Sequence, residues 1–504
     1  MSTLPILPFH DVHRFPSHFH VKGRLVKLWF AWFGLNVLLF VSSSPTSLAQ
    51  TFNLDPTASA LIAESIDESR RVILFGNTRP EVQAKSDRGR VAEEFRIEHM
   101  LLQLRRPSER ESALAQFVED LQNPASSNYH RWITALEFGE RFGPAEKDLN
   151  TIVQWLESHG FRVNIIYPSG MVIDFSGTAA QVRSTFQTEI HKFIIKGKTH
   201  IANTADPQIP AALAPIVSGI VSLHDFNPHS MHSIRKPKTD FTFPSGLGGS
   251  NFAVTPADLA TIYNLNPLFS GGYSGQGQTI ALIENTDVFS TADWSTFRST
   301  LGLSSYQSSF TTVHPAPAIG RNNCNAPGVV APNDAEAILD AEWASAAAPS
   351  AGIQLVSCAD TTTTFGGLIA LQNLINSPAP PAIVSISYGE CETMNGAANN
   401  AAYNSVYQQA VSEGVSVFVA AGDSGAAGCD NSASKATHGI VANAFASTPY
   451  NVAVGGTDFS DTFSGTNGTY WNQTNTPTFG SALSYIPEIP WNNSCAGSLV
   501  SQYL

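Results

Sequence analysis

Between residues 279 and 420, four short apolar runs (279–283, 353–357, 383–387 and 415–420) alternate with helical segments at 335–348, 366–375 and 397–412. A strand that is apolar on both sides must be covered on both sides, and strands separated by helices cannot be joined by tight hairpins. The pattern therefore predicts an α/β region: a mostly parallel sheet with helices on both faces. In such sheets ligands bind beyond the carboxyl ends of the strands. Ser387-Tyr388-Gly389 and Gly422-Asp423 fall at those ends, so one cleft is expected to take its lining from both.

The preceding residues follow a different pattern. A strand is expected at 97–105, and a helix starts at Pro107-Ser108-Glu109-Arg110-Glu111 with a capping box and runs to 123. A second helix at 147–158, strands at 161–167 and 171–175, a helix at 178–188 and a strand at 189–195 complete two strand-helix-strand units. Antiparallel strands in that order predict a ferredoxin-like α+β sandwich. The division expected is a signal at 1–49, a lead-in at 50–69, an α+β module at 70–226, a linker at 227–251 and the α/β region at 252–504. The linker carries His, Pro, Lys, Gly and Ser without a period, including Arg235-Lys236-Pro237-Lys238, and reads as exposed and open to nicking.

Charge and cysteine usage narrow the function classes. The net charge of −13 is uneven: residues 241–504 hold only Arg298, Arg321 and Lys435 against 17 Asp and Glu, a balance of −14. Three cations cannot neutralise a phosphate backbone, so a nucleic-acid partner is not expected. With few salt bridges to lose on acidification, this half suits a protein that works at low pH. Lys22, Arg24 and Lys27 precede an apolar run at 28–41, and Ser47-Leu48-Ala49 offers small residues for signal cleavage, which predicts a secreted protein with no membrane association afterwards. All five cysteines (Cys324, Cys358, Cys391, Cys429 and Cys495) lie in the acidic half, where export favours disulfides over metal or redox chemistry. Cys391 and Cys429 both follow strand ends and are one candidate pair; Cys495 is the natural odd one out.

Candidate chemistry rests on carboxylates. Glu336 and Asp340, four apart on a helix, share one face and can share a proton. Asn333-Asp334-Ala335-Glu336 equally fits a capping box, so cap and catalysis both remain open for Glu336, whereas Asp340 sits among Ile338, Leu339 and Trp343. Asp423 reads either as a turn residue or as a protonated carboxyl aimed at an oxyanion. Gly422-Asp423-Ser424-Gly425 looks like the nucleophile segment of trypsin-like proteases, but those are antiparallel barrels and this segment ends a strand of an α/β sheet. Residues 241–504 contain only His314 and His438, which argues against an ordinary Ser-His-Asp triad and leaves carboxylates as the acid-base groups.

Several segments carry a family resemblance. Pro124-Ala125-Ser126-Ser127-Asn128-Tyr129-His130-Arg131-Trp132, Phe142-Gly143-Pro144, Trp155-Leu156-Glu157-Ser158-His159-Gly160-Phe161 and Phe175-Ser176-Gly177-Thr178 resemble the activation prodomain of kumamolisin-type sedolisins. Residues 256–263 and 275–281, Val384-Ser385-Ile386-Ser387-Tyr388-Gly389, 420–425 and Val454-Gly455-Gly456-Thr457 resemble their peptidase domain. The resemblance implies a subtilisin-like sheet and a serine-carboxyl endopeptidase acting on proteins in acid, shielded by its own prodomain until the linker is cut. It implies Glu336 as the general base, Asp340 as its orienting partner, Asp423 as the oxyanion contact, and Ser387, Tyr388 and Gly389 as the strand that holds substrate. The family's nucleophile lies in a Ser-Gly-Thr-Ser segment, and Gly456-Thr457-Asp458 and Gly465-Thr466-Asn467 lack that serine. The chain is therefore expected to be incomplete at its C-terminus and inactive as it stands, with the family's calcium site beyond Leu504 and no metal or other cofactor in these residues. The competing reading is a secreted non-catalytic binding protein on the same fold.

Overall fold

The computed structural model describes residues 59–221, 223–230, 254–430 and 437–491, together with the backbone of 243–244 and 250–251. The signal, the first part of the lead-in, most of the linker and Cys495 lie outside the described residues.

The N-terminal module runs β1 (Arg96–Leu104), α1 (Ser108–Gln122), α2 (Ala135–Phe142), α3 (Glu146–Ser158), β2 (Arg162–Ile166), β3 (Val172–Thr178), α4 (Ala179–Phe186) and β4 (Val217–Val221). These strands form one antiparallel sheet in the ferredoxin-like order β2-β3-β1-β4. The strand expected at 189–195 is not its fourth member: it forms as Ile190–Ile195 but pairs with Asp87–Arg90 and Lys198–Asn203 in a separate antiparallel sheet, and Val217–Val221 takes the fourth place beside β1. Helix α4 begins where Thr178 accepts from Gln181 N and the Gln181 side chain returns to Thr178 N. The capping box expected at Ser108 does not form: α1 starts on Pro107, with no side-chain cap. Helix α2 escapes the sequence reading although Thr134 and Glu137 build a full capping box for it.

After β5 (His229–Ser230) the second module contains β6 (Thr279–Glu284), β7 (Phe310–Val313), α5 (Asp334–Ala347), β8 (Gly352–Ser357), α6 (Gly366–Ile375), β9 (Ile383–Ile386), β10 (Tyr388–Gly389), α7 (Glu392–Ser412), β11 (Ser416–Ala420) and β12 (Val452–Val454). Its six-stranded sheet is parallel throughout, in the order β7-β8-β6-β9-β11-β12. Alternation along each strand separates the two faces. Leu282, Ile353 and Leu355 pack with Ala337 and Ala341 of α5. Ala281, Ile283, Val356, Val384, Ile386, Val417 and Val419 pack on the opposite side with α6 and α7. Each Val, Leu or Ile among these contributes roughly 1.5–3 kcal/mol relative to exposure. Helix α7 is broken at Gly396 (φ 82°, ψ 165°), which is why helical periodicity in the sequence starts only at 397.

The two modules share a core. One face of the N-terminal sheet carries Met100, Leu102, Ile173 and Phe175 against α3 and α4. Its other face presents Leu101, Tyr167, Val172 and Val221 to α6 and α7 of the second module. The sheet is thus covered on one side by α3 and α4, and the cluster on its other side joins α6 and α7 of the neighbour with its own α1 and α2. A buried polar seam crosses the contact: Asn323 Nδ2 donates to Asp174 Oδ2 (2.8 Å) and Tyr167 Oη (2.9 Å), Tyr167 Oη donates to Asn373 Oδ1 (2.9 Å), and Asn373 Nδ2 donates to Asn323 Oδ1 (2.8 Å).

Candidate active site

Register puts the carboxylates together. Ile283 of β6 lies beside Ile386 of β9, so Glu284 and Ser387 leave the sheet at the same edge. Helix α5 crosses the face that Leu282 occupies, and Glu284, two residues on, points to that same side. Ser387 Oγ donates to Asp340 Oδ2 at 2.7 Å. Glu336, one turn earlier on α5, is 4% exposed. The Asn333 side chain makes no cap bond and instead donates to Asn285 Oδ1 at 2.9 Å, so the capping-box reading of Glu336 is not what forms.

Glu284 is the residue that sequence reasoning missed. It is 0% exposed, and neither carboxyl oxygen has a hydrogen-bond partner. Burial, then the charge of Asp340 and that of Glu336, holds its pKa well above the usual carboxylate range. A buried carboxyl without donors stays neutral, so Glu284 keeps its proton beside Asp340 and Glu336. Tyr388, also fully buried, has its phenol pushed up by burial and by the Glu284 charge; the two are electrostatic neighbours, but the Tyr388 hydroxyl has no partner of hydrogen-bonding geometry. The signal available in the sequence was a single acid ending the apolar run Thr279-Ile280-Ala281-Leu282-Ile283.

Asp423 sits on the same edge, in the loop after β11, one strand over from β9. The chain turns at Gly422 (φ 95°), a conformation that favours glycine, and Asp423 is partly buried. The loop is tied down from two sides. Cys429 is bridged to Cys391, just past β10, and Asn443 Nδ2 donates to Ala420 O at 2.7 Å. Gly389 packs so closely on Asn443 that a Cβ there would lie 2.4 Å from Nδ2. A second disulfide joins Cys324 to Cys358.

The histidines offer no alternative base. His314 Nε2 bonds Asp287 Oδ1 at 2.9 Å, but Ser357 Oγ donates to that same oxygen at 2.7 Å, so the serine faces the carboxylate and not the ring. His438 Nδ1 is engaged by Asp430 Oδ1 at 2.8 Å.

The edge of β10 is occupied by the chain itself. Strand β5 pairs antiparallel with β10, His229 opposite Gly389 and Ser230 opposite Tyr388. Within the linker expected at 227–251, His229 and Ser230 form a paired strand, with His229 exposed, because the two-residue β10 offers backbone groups that an extended segment satisfies.

Residues 84–226 match the family described as "Pro-kumamolisin, activation domain". Among curated relatives, the chain is 28% identical to kumamolisin of Bacillus sp. (strain MN-32), over 78% of this chain and 67% of that one. It is 27% identical to xanthomonalisin of Xanthomonas sp. (strain T-22), over 74% and 46%, and 26% identical to sedolisin of Pseudomonas sp. (strain 101), over 72% and 61%. The matches thus span from about half to two thirds of the length of these relatives. Among solved structures, a Pseudomonas sedolisin (serine-carboxyl proteinase) complexed with two molecules of pseudo-iodotyrostatin aligns with a TM-score of 0.35 at 21% identity, over 47% of this chain and 63% of that one.

Proposed function

The chain belongs to the sedolisin/kumamolisin family and carries its activation domain, and from that premise we propose that it is the precursor of a secreted serine-carboxyl endopeptidase that hydrolyses proteins in acid. Glu336 takes the proton of the attacking serine, and Asp340 orients Glu336 while Ser387 holds Asp340 in place. Glu284 keeps the group one proton short of full ionisation, which limits repulsion among three carboxylates in a dry site. Asp423 donates to the oxyanion, and Ser387, Tyr388 and Gly389 bind substrate backbone. The N-terminal module acts as the intramolecular inhibitor. The observation that carries this reading is the convergence of Glu284, Glu336 and Asp340 at a strand edge already filled by an extended segment of the same chain. Export is supported by the basic-then-apolar N-terminus and by two disulfides.

No Gly-Thr-Ser occurs in the 504 residues, so the 504-residue polypeptide is proposed to be inactive by itself. That same feature favours the second reading, a non-catalytic binding protein on this fold. Calcium, implied by the family, finds no group of three or more His, Cys, Asp or Glu side chains to hold it among the described residues, and no step is routed through it. The test is hydrolysis of a denatured protein in acid by the 504-residue chain and by the product of any reading frame continuing past codon 504. Cleavage by the continued product alone supports the peptidase; a closed frame with peptide binding and no cleavage supports the binding protein. Cleavage by the 504-residue chain overturns the inactivity assigned to it.

A further inference from the structure

The segment that leaves the N-terminal module crosses the carboxyl edge of the parallel sheet, and its side chains meet that edge before the backbone pairs with β10. Two residues ahead of His229, Asn227 Nδ2 donates to Asp360 Oδ2 at 3.1 Å. Asp360 follows β8, two strands away from β9 in the sheet. Its carboxylate is held in place from within its own module: Gly366 N, at the start of α6, donates to Oδ1 at 2.7 Å, and Asn285 Nδ2 donates to Oδ2 at 3.1 Å. Asn285 is 3% exposed and is itself fixed through Asn333 Nδ2 on its Oδ1 at 2.9 Å. Residue 285 follows Glu284, and residue 333 precedes α5, so the same framework that positions the carboxylate group positions Asp360.

From this arrangement we infer that Asp360, braced by Asn285 and Gly366, is a side-chain subsite that selects a hydrogen-bond-donating, preferentially cationic, substrate residue two positions before the one opposite Gly389. The inference rests on the reading of β10 as the substrate strand. The chemistry is one-sided. Burial raises the pKa of Asp360, and above that value it offers only acceptor oxygens; two of its donors belong to the wall, and the third is the side chain of the extended segment. A lysine or arginine there makes a charge-assisted bond, whereas an aspartate or glutamate meets like charge. Residues 241–504 contain only three cations, so little of this module's own charge competes for the position. The spacing suits an extended peptide: two residues advance about 6.6 Å, roughly what is needed to pass from β10 toward the neighbouring strand ends. Asn227 is then the neutral occupant of the subsite, able to hold the segment without binding it as tightly as a cation would.

The test uses the intact chain and needs no catalysis. Hydrogen exchange at the amides of His229 and Ser230 reports opening of β5 from β10, and exchange in β6 reports global integrity. Asn227→Lys is expected to slow exchange at 229–230 about tenfold, and Asn227→Asp to speed it about tenfold, with β6 unchanged. Asp360→Asn is expected to erase the difference between the Lys and Asp variants. Protected amides at 229–230 that ignore the charge at 227 would overturn the subsite while leaving the strand reading intact. Unprotected amides at 229–230 in the wild-type chain would overturn the strand reading, and the subsite with it.

Discussion

At the scale of single residues, the site is a problem of where one proton goes. Glu336 and Asp340 could be read from the sequence as a pair because a spacing of four fixes their face without any tertiary information. Glu284 could not, because only the pairing of β6 with β9 brings it to α5, and an acid at the end of an apolar run is equally at home in a turn. Asp360 was hidden for the same reason. Burial lifts the Glu284 pKa above its unfolded value of 4.5, so its protonated form contributes stability that is fully present below about pH 4.5 and is lost as pH rises toward the folded value. Glu284→Gln removes that loss. The variant is expected to match the wild type in urea denaturation near pH 4 and to be more stable near pH 7, and a variant less stable at both would contradict the neutral Glu284.

At the scale of elements, periodicity carried most of the fold, whereas the capping boxes expected at Ser108 and Asn333 do not form. Helix α6 lies where the sequence places it, and the strands β6, β8, β9 and β11 start and stop within a residue of the expected runs. Short or isolated elements were not legible: β7 and β12 are edge strands of only four and three residues, too short for an alternation to stand out, and α2 spans only eight residues. Nor could pattern alone reveal that β1 to β4 offer a second face to α6 and α7, since the sequence of a strand covered by a neighbouring module looks like that of any buried strand. The polar seam specifies that docking. Asn323→Ala strips a donor from Asp174 and Tyr167 and an acceptor from Asn373, leaving buried polar groups unpaired at a cost of about 1–3 kcal/mol. Chemical denaturation is expected to show that loss; an unchanged midpoint would mean that the seam is solvated.

At the scale of the whole molecule, two carboxyls of the second module and one histidine at the exit of the N-terminal module respond to acid with opposite sign. In the second module, burial raises Glu342 to about 7 and Glu413 to about 8, so stability present below pH 4.5 is lost as pH rises through those values. At the exit of the N-terminal module, His224 is 6% exposed and is pushed down to about 3 by burial, then by Arg79 and His200. Its contribution is fully present above pH 6.5 and is lost as pH falls through about 3. Acid therefore favours the folded state through Glu342 and Glu413 and disfavours it through His224, whose neighbour Asp225, raised by burial, acts in the opposite sense. Arg79 spans that junction, donating to Met394 O (2.6 Å) and Glu390 Oε2 (3.3 Å). His224→Gln is expected to shift cleavage of residues 227–251 by an added acid protease to lower pH; an unshifted profile would remove His224 from the response. The most direct test of the acid-base assignment is kcat/KM against pH for the product of any reading frame continuing past codon 504, with and without Glu336→Gln. The carboxylate mechanism predicts activity in acid and a fall of about 10²–10⁴-fold in the variant. Undiminished turnover in the variant would contradict it.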